Sequence, residues 1–213
     1  MKTSSLLAAL CCILGVFCSL GGCSRAKNSD VKLMIGLDST GSNIGKKNTY
    51  SGAAHAVLQQ MPNAEFDITI DVFGTVSETR TLFEGVVNDP DDLAAPFNEY
   101  WNGTAPKKRG TYWQPMLAKV AKKSATSKVA VLLFTDGEIY DDKECELIIK
   151  QLAGSDNVVA VFIGPTIIED AYGGTWRTKV ERLFEPLGNR VFLCGPNDQQ
   201  QKLDAFAKKV EKP

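Results

Sequence analysis

Two apolar runs that end in aspartate carry the residues with the most specific chemistry. Lys32 to Asp38 (KLMIGLD) runs into Asp38-Ser39-Thr40-Gly41-Ser42, and Val129 to Asp136 (VAVLLFTD) runs into Asp136-Gly137-Glu138. Laid side by side as buried parallel strands, they bring Asp38, Asp136, Thr40 and Ser42 to one crevice, next to a third hydroxyl from Thr111. Oxygen donors of this kind suit a hard divalent cation such as Mg2+, which takes near-octahedral oxygen ligands and keeps waters where protein ligands run out. In the tight 38–42 loop the oxygens of residues 38, 40 and 42 can converge, with Gly41 permitting a sharp backbone path. Taken alone, that pentapeptide reads as an ordinary turn capping a helix, because Asp, Ser, Thr and Gly are common turn residues. Thr111 and Asp136 tip the reading towards metal.

The elements that must position these residues follow from periodicity. Strand-length apolar runs are Lys32 to Asp38, Phe66 to Phe73, Thr79 to Phe83, Val129 to Thr135, Val158 to Ile163 and Arg190 to Leu193. Helical patterns cover Tyr50 to Met61, Pro90 to Trp101, Pro115 to Lys123, Asp142 to Ala153, Trp176 to Glu185 and Gln199 to Val210. The stripes Ala53, Ala54, Val57, Leu58, Met61 and Leu203, Phe206, Ala207, Val210 each demand a sheet face. Leu33 to Leu37 and Val129 to Phe134 are apolar throughout, as strands covered on both faces are. Thr79 to Phe83 alternates and reads as a short antiparallel edge strand reached through Gly74-Thr75. The expected fold is therefore α/β: a doubly wound, mostly parallel six-stranded sheet with one antiparallel edge strand and helices on both faces. In such sheets ligands bind beyond the carboxyl ends of the strands where the crossovers diverge. Asp38 and Asp136 are expected to meet there.

In this arrangement the chain resembles a von Willebrand factor A-type domain with a metal-ion-dependent adhesion site, over about residues 30 to 212. The pattern of that family is Asp-x-Ser-x-Ser after the first strand, a Thr in a later loop and an Asp ending the fourth strand. Asp38, Thr40 and Ser42 match the first part, with Thr40 replacing the middle Ser; Thr111 matches the second and Asp136 the third. The resemblance implies direct coordination of Mg2+ (or Mn2+ or Ca2+) by Thr40, Ser42 and Thr111, with Asp38 and Asp136 acting mainly through bound waters. It also implies a vacant position that attracts a Glu or Asp side chain of a partner protein. Tyr112, Trp113, Glu138 and Tyr140 are the expected partner-binding rim, exposed aromatics being favoured anchors. The alternative for Tyr112 or Trp113 is packing beneath the loop. The acids Glu138, Asp141 and Asp142 read as a solvated helix start, the alternative being additional metal ligands.

The first residues read as an address. Lys2 precedes an uncharged apolar stretch, Leu6 to Phe17, too short to span a bilayer comfortably, followed by Leu20-Gly21-Gly22-Cys23. This resembles the lipobox of bacterial lipoproteins, which implies lipidation of Cys23, a membrane anchor and a bacterial envelope location, with Ser24 in keeping with the outer membrane. Residues 1–22 are then a signal peptide, 23–30 the lipidated Cys and a polar tether, and 31–213 one domain. With Lys2 removed, 23 basic side chains face 25 acidic ones, a balance that gives no footprint for nucleic acid. Of six Cys, only Cys145 and Cys194 remain for the fold, as one disulfide or as two buried thiols.

Three function classes follow. The leading one is a membrane-anchored, metal-dependent module that captures an acidic side chain of a partner protein at the envelope. In the second the metal only stabilises loops within an envelope assembly. The third, a phosphohydrolase with Asp38 as nucleophile, lacks an acid two residues on, where Thr40 stands, and lacks a Gly-rich phosphate loop. His55, the only histidine, lies mid-helix, so no Ser/His/Asp or Cys/His triad can be built and no catalytic residues are assigned.

Overall fold

The computed structural model describes residues 27–28, 30–40, 42–43, 47–61, 64–74, 79–102, 110–165, 175–195 and 197–212. The expected leader, Cys23 and most of the tether lie outside these. Among the described residues no helix is long and apolar enough to cross a membrane.

Chain order is β1 (Lys27–Asn28), β2 (Val31–Asp38), α1 (Lys47–Gln59), β3 (Ala64–Phe73), β4 (Arg80–Val87), α2 (Ala94–Asn102), α3 (Gln114–Ser124), β5 (Lys128–Phe134), α4 (Asp142–Ala153), β6 (Val158–Gly164), α5 (Thr175–Phe184), β7 (Val191–Leu193) and α6 (Gln199–Glu211). The six longer strands are those expected from the apolar runs. They lie in the order β4-β3-β2-β5-β6-β7, all parallel except β4, and two-residue β1 pairs in parallel with the start of β3. Strand β1 falls in the stretch expected to be tether, since two polar residues carry no strand periodicity. Strand β4 is antiparallel to β3 as expected but runs on to Val87, because Gly85 and Val86 keep the backbone pairing while breaking the alternation that marks a strand in sequence.

Period-two alternation sends the side chains of the central strands into two cores. Leu33, Ile35 and Leu37 of β2 and Ala130, Leu132 and Phe134 of β5 pack with the buried stripes of α1, α2 and α6. Met34 of β2 and Val129, Val131 and Leu133 of β5 point the other way, onto α3, α4 and α5. Cys194 belongs to the first core and Cys145 to the second, so the sheet separates two buried thiols and the disulfide alternative falls away. Burial pushes the Cys194 thiol up to about 12, away from thiolate chemistry.

The crossovers that leave the neighbouring strands β2 and β5 take opposite faces: α1 follows β2 and α4 follows β5. Leu37 stands in register with Phe134, so Asp38 and Thr135-Asp136 leave the sheet as neighbours at the switch point.

Candidate metal centre

Asp38 is fully buried at the end of β2. Its Oδ1 accepts the Thr40 amide at 2.9 Å and the Thr40 hydroxyl at 2.7 Å. Its Oδ2 accepts the Thr135 hydroxyl at 2.7 Å, and Thr135 Oγ1 in turn accepts the Gly137 amide at 3.1 Å. Thr40 is buried, Ser42 exposed, and their hydroxyl oxygens are 3.4 Å apart. Buried Asn43 donates to Thr40 Oγ1 at 3.0 Å and is itself held by the Tyr50 hydroxyl, which donates to Asn43 Oδ1. This donor chain runs from the α1 core to Asp38. Having given its one proton to Asp38, the Thr40 hydroxyl offers only lone pairs to anything else.

Thr111 is buried against the loop that leaves β5. Its carbonyl accepts the Tyr140 amide at 3.0 Å, and its hydroxyl donates to Glu138 Oε2 at 3.3 Å. Asp136 Oδ1 accepts the Glu138 amide at 3.2 Å. Asp141 completes the clamp: it is buried, and its two oxygens accept the amides of Trp113 at 2.9 Å and Gln114 at 2.7 Å. A carboxylate from the α4 side thus caps the N-terminus of α3, where an anion meets orphan N–H groups and the positive end of the helix dipole. Asp141 is therefore no solvated helix start, and the Thr111 loop is locked to the Asp136 loop.

The electrostatics of the pocket point to a cation. Burial first, and the negative charge of Asp136 second, lift the Asp38 carboxyl to about 7, against the hydrogen bonds of Thr40 and Thr135 that favour its ionised form. An Asp38 carboxyl opposed by the charge of Asp136 and ringed by hydroxyls fits a divalent ion that would relieve the repulsion. Among the described residues no cluster of three His, Cys, Asp or Glu side chains is placed to hold a metal, so any ion here must rely on hydroxyls and water beside its acids.

Of the expected rim, Tyr140 is 53% exposed, while Tyr112 and Glu138 are half-buried. Trp113 corrects the reading: it is only 1% exposed, wedged between Phe73 and Phe184, with its indole N–H on the Glu138 carbonyl at 2.9 Å. It supports the Glu138 loop from beneath. An aromatic residue type serves core and rim equally, and only tertiary packing distinguishes them. Half-buried Trp176 of α5 stands 5.4 Å from the Tyr140 ring instead. Sequence reasoning also passed over Thr135, Asn43 and Tyr50. A hydroxyl directly before Asp136 and a polar residue directly after the 38–42 loop are the signals that would have found the first two. His55 lies on α1 with its ring nitrogen 2.9 Å from Asp91, apart from these contacts.

Gly74 closes the pocket from β3. At φ +135°, with an added Cβ only 2.9 Å from Thr40 Cγ2, it tolerates no side chain. Gly74→Ala should cost about 1–3 kcal/mol in urea unfolding and should weaken Mg2+ binding measured calorimetrically, because Thr40 must shift. Unchanged stability together with unchanged Mg2+ binding would show that the 38–42 loop does not rest on Gly74.

No family model matches the chain, and no curated protein matches it in sequence. Solved structures match it in fold. An aerotolerance-related membrane protein from Bacteroides fragilis aligns with TM-score 0.61 at 16% identity, over 86% of this chain and 100% of that one. The SpRpn10 VWA domain aligns with TM-score 0.56 at 12% identity, over 82% of this chain and 94% of that one. The pilus adhesin SpaC from Lactobacillus rhamnosus GG aligns with TM-score 0.57 at 12% identity, over 85% of this chain and 29% of that one. Strand order, the single antiparallel strand, the two helical layers and these likenesses together give the chain a von Willebrand factor A-type fold.

Proposed function

We propose that this chain is a divalent-metal-dependent protein-binding module that captures a Glu or Asp side chain of a partner protein, tethered to the bacterial envelope through a lipid on Cys23. The observation that supports it most is the buried Asp38 carboxyl, facing Asp136 and ringed by the hydroxyls of Thr40 and Thr135. Thr40, Ser42 and Thr111 would hold Mg2+ directly, with Asp38 and Asp136 behind them. Bound there, the ion supplies a positive charge that neutral hydroxyls leave undercompensated, which attracts an external carboxylate. The protein contributes orientation: Asp38 fixes the rotamer of Thr40, Asn43 steadies Thr40 and Ser42, and Asp141 seats the Thr111 loop. The membrane protein and the pilus adhesin that share the fold are consistent with an interaction role at the cell surface.

Capture from native membranes should require Mg2+, should be abolished by chelator and should be lost in Asp38→Ala and Thr111→Ala variants that keep the wild-type circular dichroism spectrum. Affinity capture with quantitative mass spectrometry reads this out. Equal recovery of partners with and without chelator would end the metal-dependent reading, and Mg2+ binding without metal-dependent capture would leave the ion a structural role only.

A further inference from the structure

We propose that Glu138 is a built-in carboxylate ligand that occupies the cation position otherwise open to a partner, so that the domain carries its own competitor. The inference rests on the metal-centre reading above and deepens it.

The Glu138 backbone is pinned at both polar ends. Its amide donates to Asp136 Oδ1 at 3.2 Å, and its carbonyl accepts the Trp113 indole N–H at 2.9 Å. The side chain then turns back towards the crevice, bringing Oε2 to 3.3 Å from Thr111 Oγ1, while Oε1 is held by the Tyr140 hydroxyl at 2.9 Å. Two oxygens at right angles around one ion are about 2.9 Å apart at Mg2+ ligand distances and about 3.3–3.7 Å apart at Ca2+ distances. At 3.3 Å, Thr111 Oγ1 and Glu138 Oε2 have the spacing of adjacent ligands around Ca2+ and need close by only about 0.4 Å for Mg2+. Chemically, Glu138 presents the group that the site is built to attract. It reaches the site from the Thr111 side and is only half-buried, so it can swing out.

Tyr140 is the latch. Its hydroxyl orients Glu138, its amide is tied to Thr111, and its ring stands 53% exposed between Tyr112 at 6.2 Å and Trp176 at 5.4 Å. A partner that packs on this aromatic shelf while offering a carboxylate would disturb the latch and replace Glu138 in one event. Acidic ligands too small to touch Tyr140 must compete with Glu138 unaided. An internal ligand in place roughly nine-tenths of the time weakens such a competitor about tenfold, since apparent affinity scales with the open fraction.

The test uses the full chain in detergent micelles, with Mn2+ as the probe ion and acetate as the probe carboxylate, read by water-proton relaxation. Glu138→Gln and Glu138→Ala should each raise the relaxation enhancement per bound Mn2+, because a water enters the vacated position. Acetate should then displace that water at about tenfold lower concentration than in wild type. Tyr140→Phe, which leaves Glu138 in place without its donor, should move both readouts in the same direction by less. Should both Glu138 variants match wild type in enhancement and acetate response, with Mn2+ still bound and still lost in Asp38→Ala, the built-in ligand is disproved and the metal centre stands. Absence of Asp38-dependent Mn2+ binding in wild type would remove both.

Discussion

Asp38→Asn should stabilise the metal-free protein at pH 8 by about 2–3 kcal/mol while eliminating its response to Mg2+. In the folded state the Asp38 carboxyl is lifted from 3.8 to about 7 by burial and by Asp136. A group whose folded-state value is raised favours folding fully below its unfolded value, and that contribution is lost as pH rises through the folded one. Metal-free wild-type protein should therefore lose stability between about pH 4 and pH 7, by on the order of 4 kcal/mol, and change little from this group above that window. Asn removes the charge but also removes one acceptor. Asp38 accepts from Thr40 N–H, Thr40 O–H and Thr135 O–H, and an amide cannot satisfy all three, at a cost of about 1–1.5 kcal/mol. The net gain is the difference. Urea unfolding in chelator across pH 4 to 8 reads both the gain and the disappearance of the slope. Saturating Mg2+ should then raise the midpoint of wild type only, by mass action on the folded state. An Asn variant less stable than wild type at pH 8, or one that keeps the Mg2+ response, would refute the account of Asp38 as an acid held for a cation.

The second large effect lies beneath the site. Lys119→Met should destabilise the fold by about 3 kcal/mol. Asp71 on β3 is wholly buried, and its Oδ1 accepts from Lys119 Nζ at 2.6 Å and Thr81 Oγ1 at 2.7 Å, while Oδ2 has no hydrogen-bond partner. Lys119 Nζ also donates to Thr81 Oγ1 at 3.0 Å, so one cation ties α3 to both β3 and β4. Gly36, in register with Asp71 on β2, leaves this part of the face without a side chain. Removing one partner of a buried pair strands the other charge and typically costs about 3–5 kcal/mol. The lower figure applies because the Lys119 side chain is 36% exposed and water can reach the pair from that side. Met keeps the length and most of the volume, so lost packing contributes little. Asp71→Asn added to Lys119→Met should recover at least half of the loss, because the stranded charge is gone, and the double-mutant cycle measures the coupling. A Lys119→Met variant within about 0.5 kcal/mol of wild type would show that the Lys119–Asp71 pair does not hold α3 to the sheet. Since α3 begins at the Thr111 loop, the same variant should also weaken Mg2+ binding.

The legible parts of this protein were those written in period and in strand ends. A run such as Val129 to Phe134 has to be covered on both faces, and the stripe from Ala53 to Met61 has to cover one. From those two demands the layers and the carboxyl-end crevice follow, and with them the positions of Asp38 and Asp136. Boundaries drifted where periodicity fades, as at Gly85-Val86. Side-chain roles that depend on which way a loop faces were not legible. Trp113 looked like an anchor and is a core residue; Asp141 looked like a cap for its own helix and caps α3 instead.

By itself, then, the sequence determined the alternating α/β order, the two buried faces and the oxygen donors at two strand ends, because hydrophobic period and residue chemistry are local properties. Only the tertiary structure decided that Glu138 turns back onto Thr111, that Thr135 and Asn43 orient the pocket, and that Lys119 neutralises Asp71. Apart from the local Asn43–Thr40 bond, those contacts join segments far apart in the chain, and a hydrogen bond of that range exists only once the sheet has set the distance between its ends.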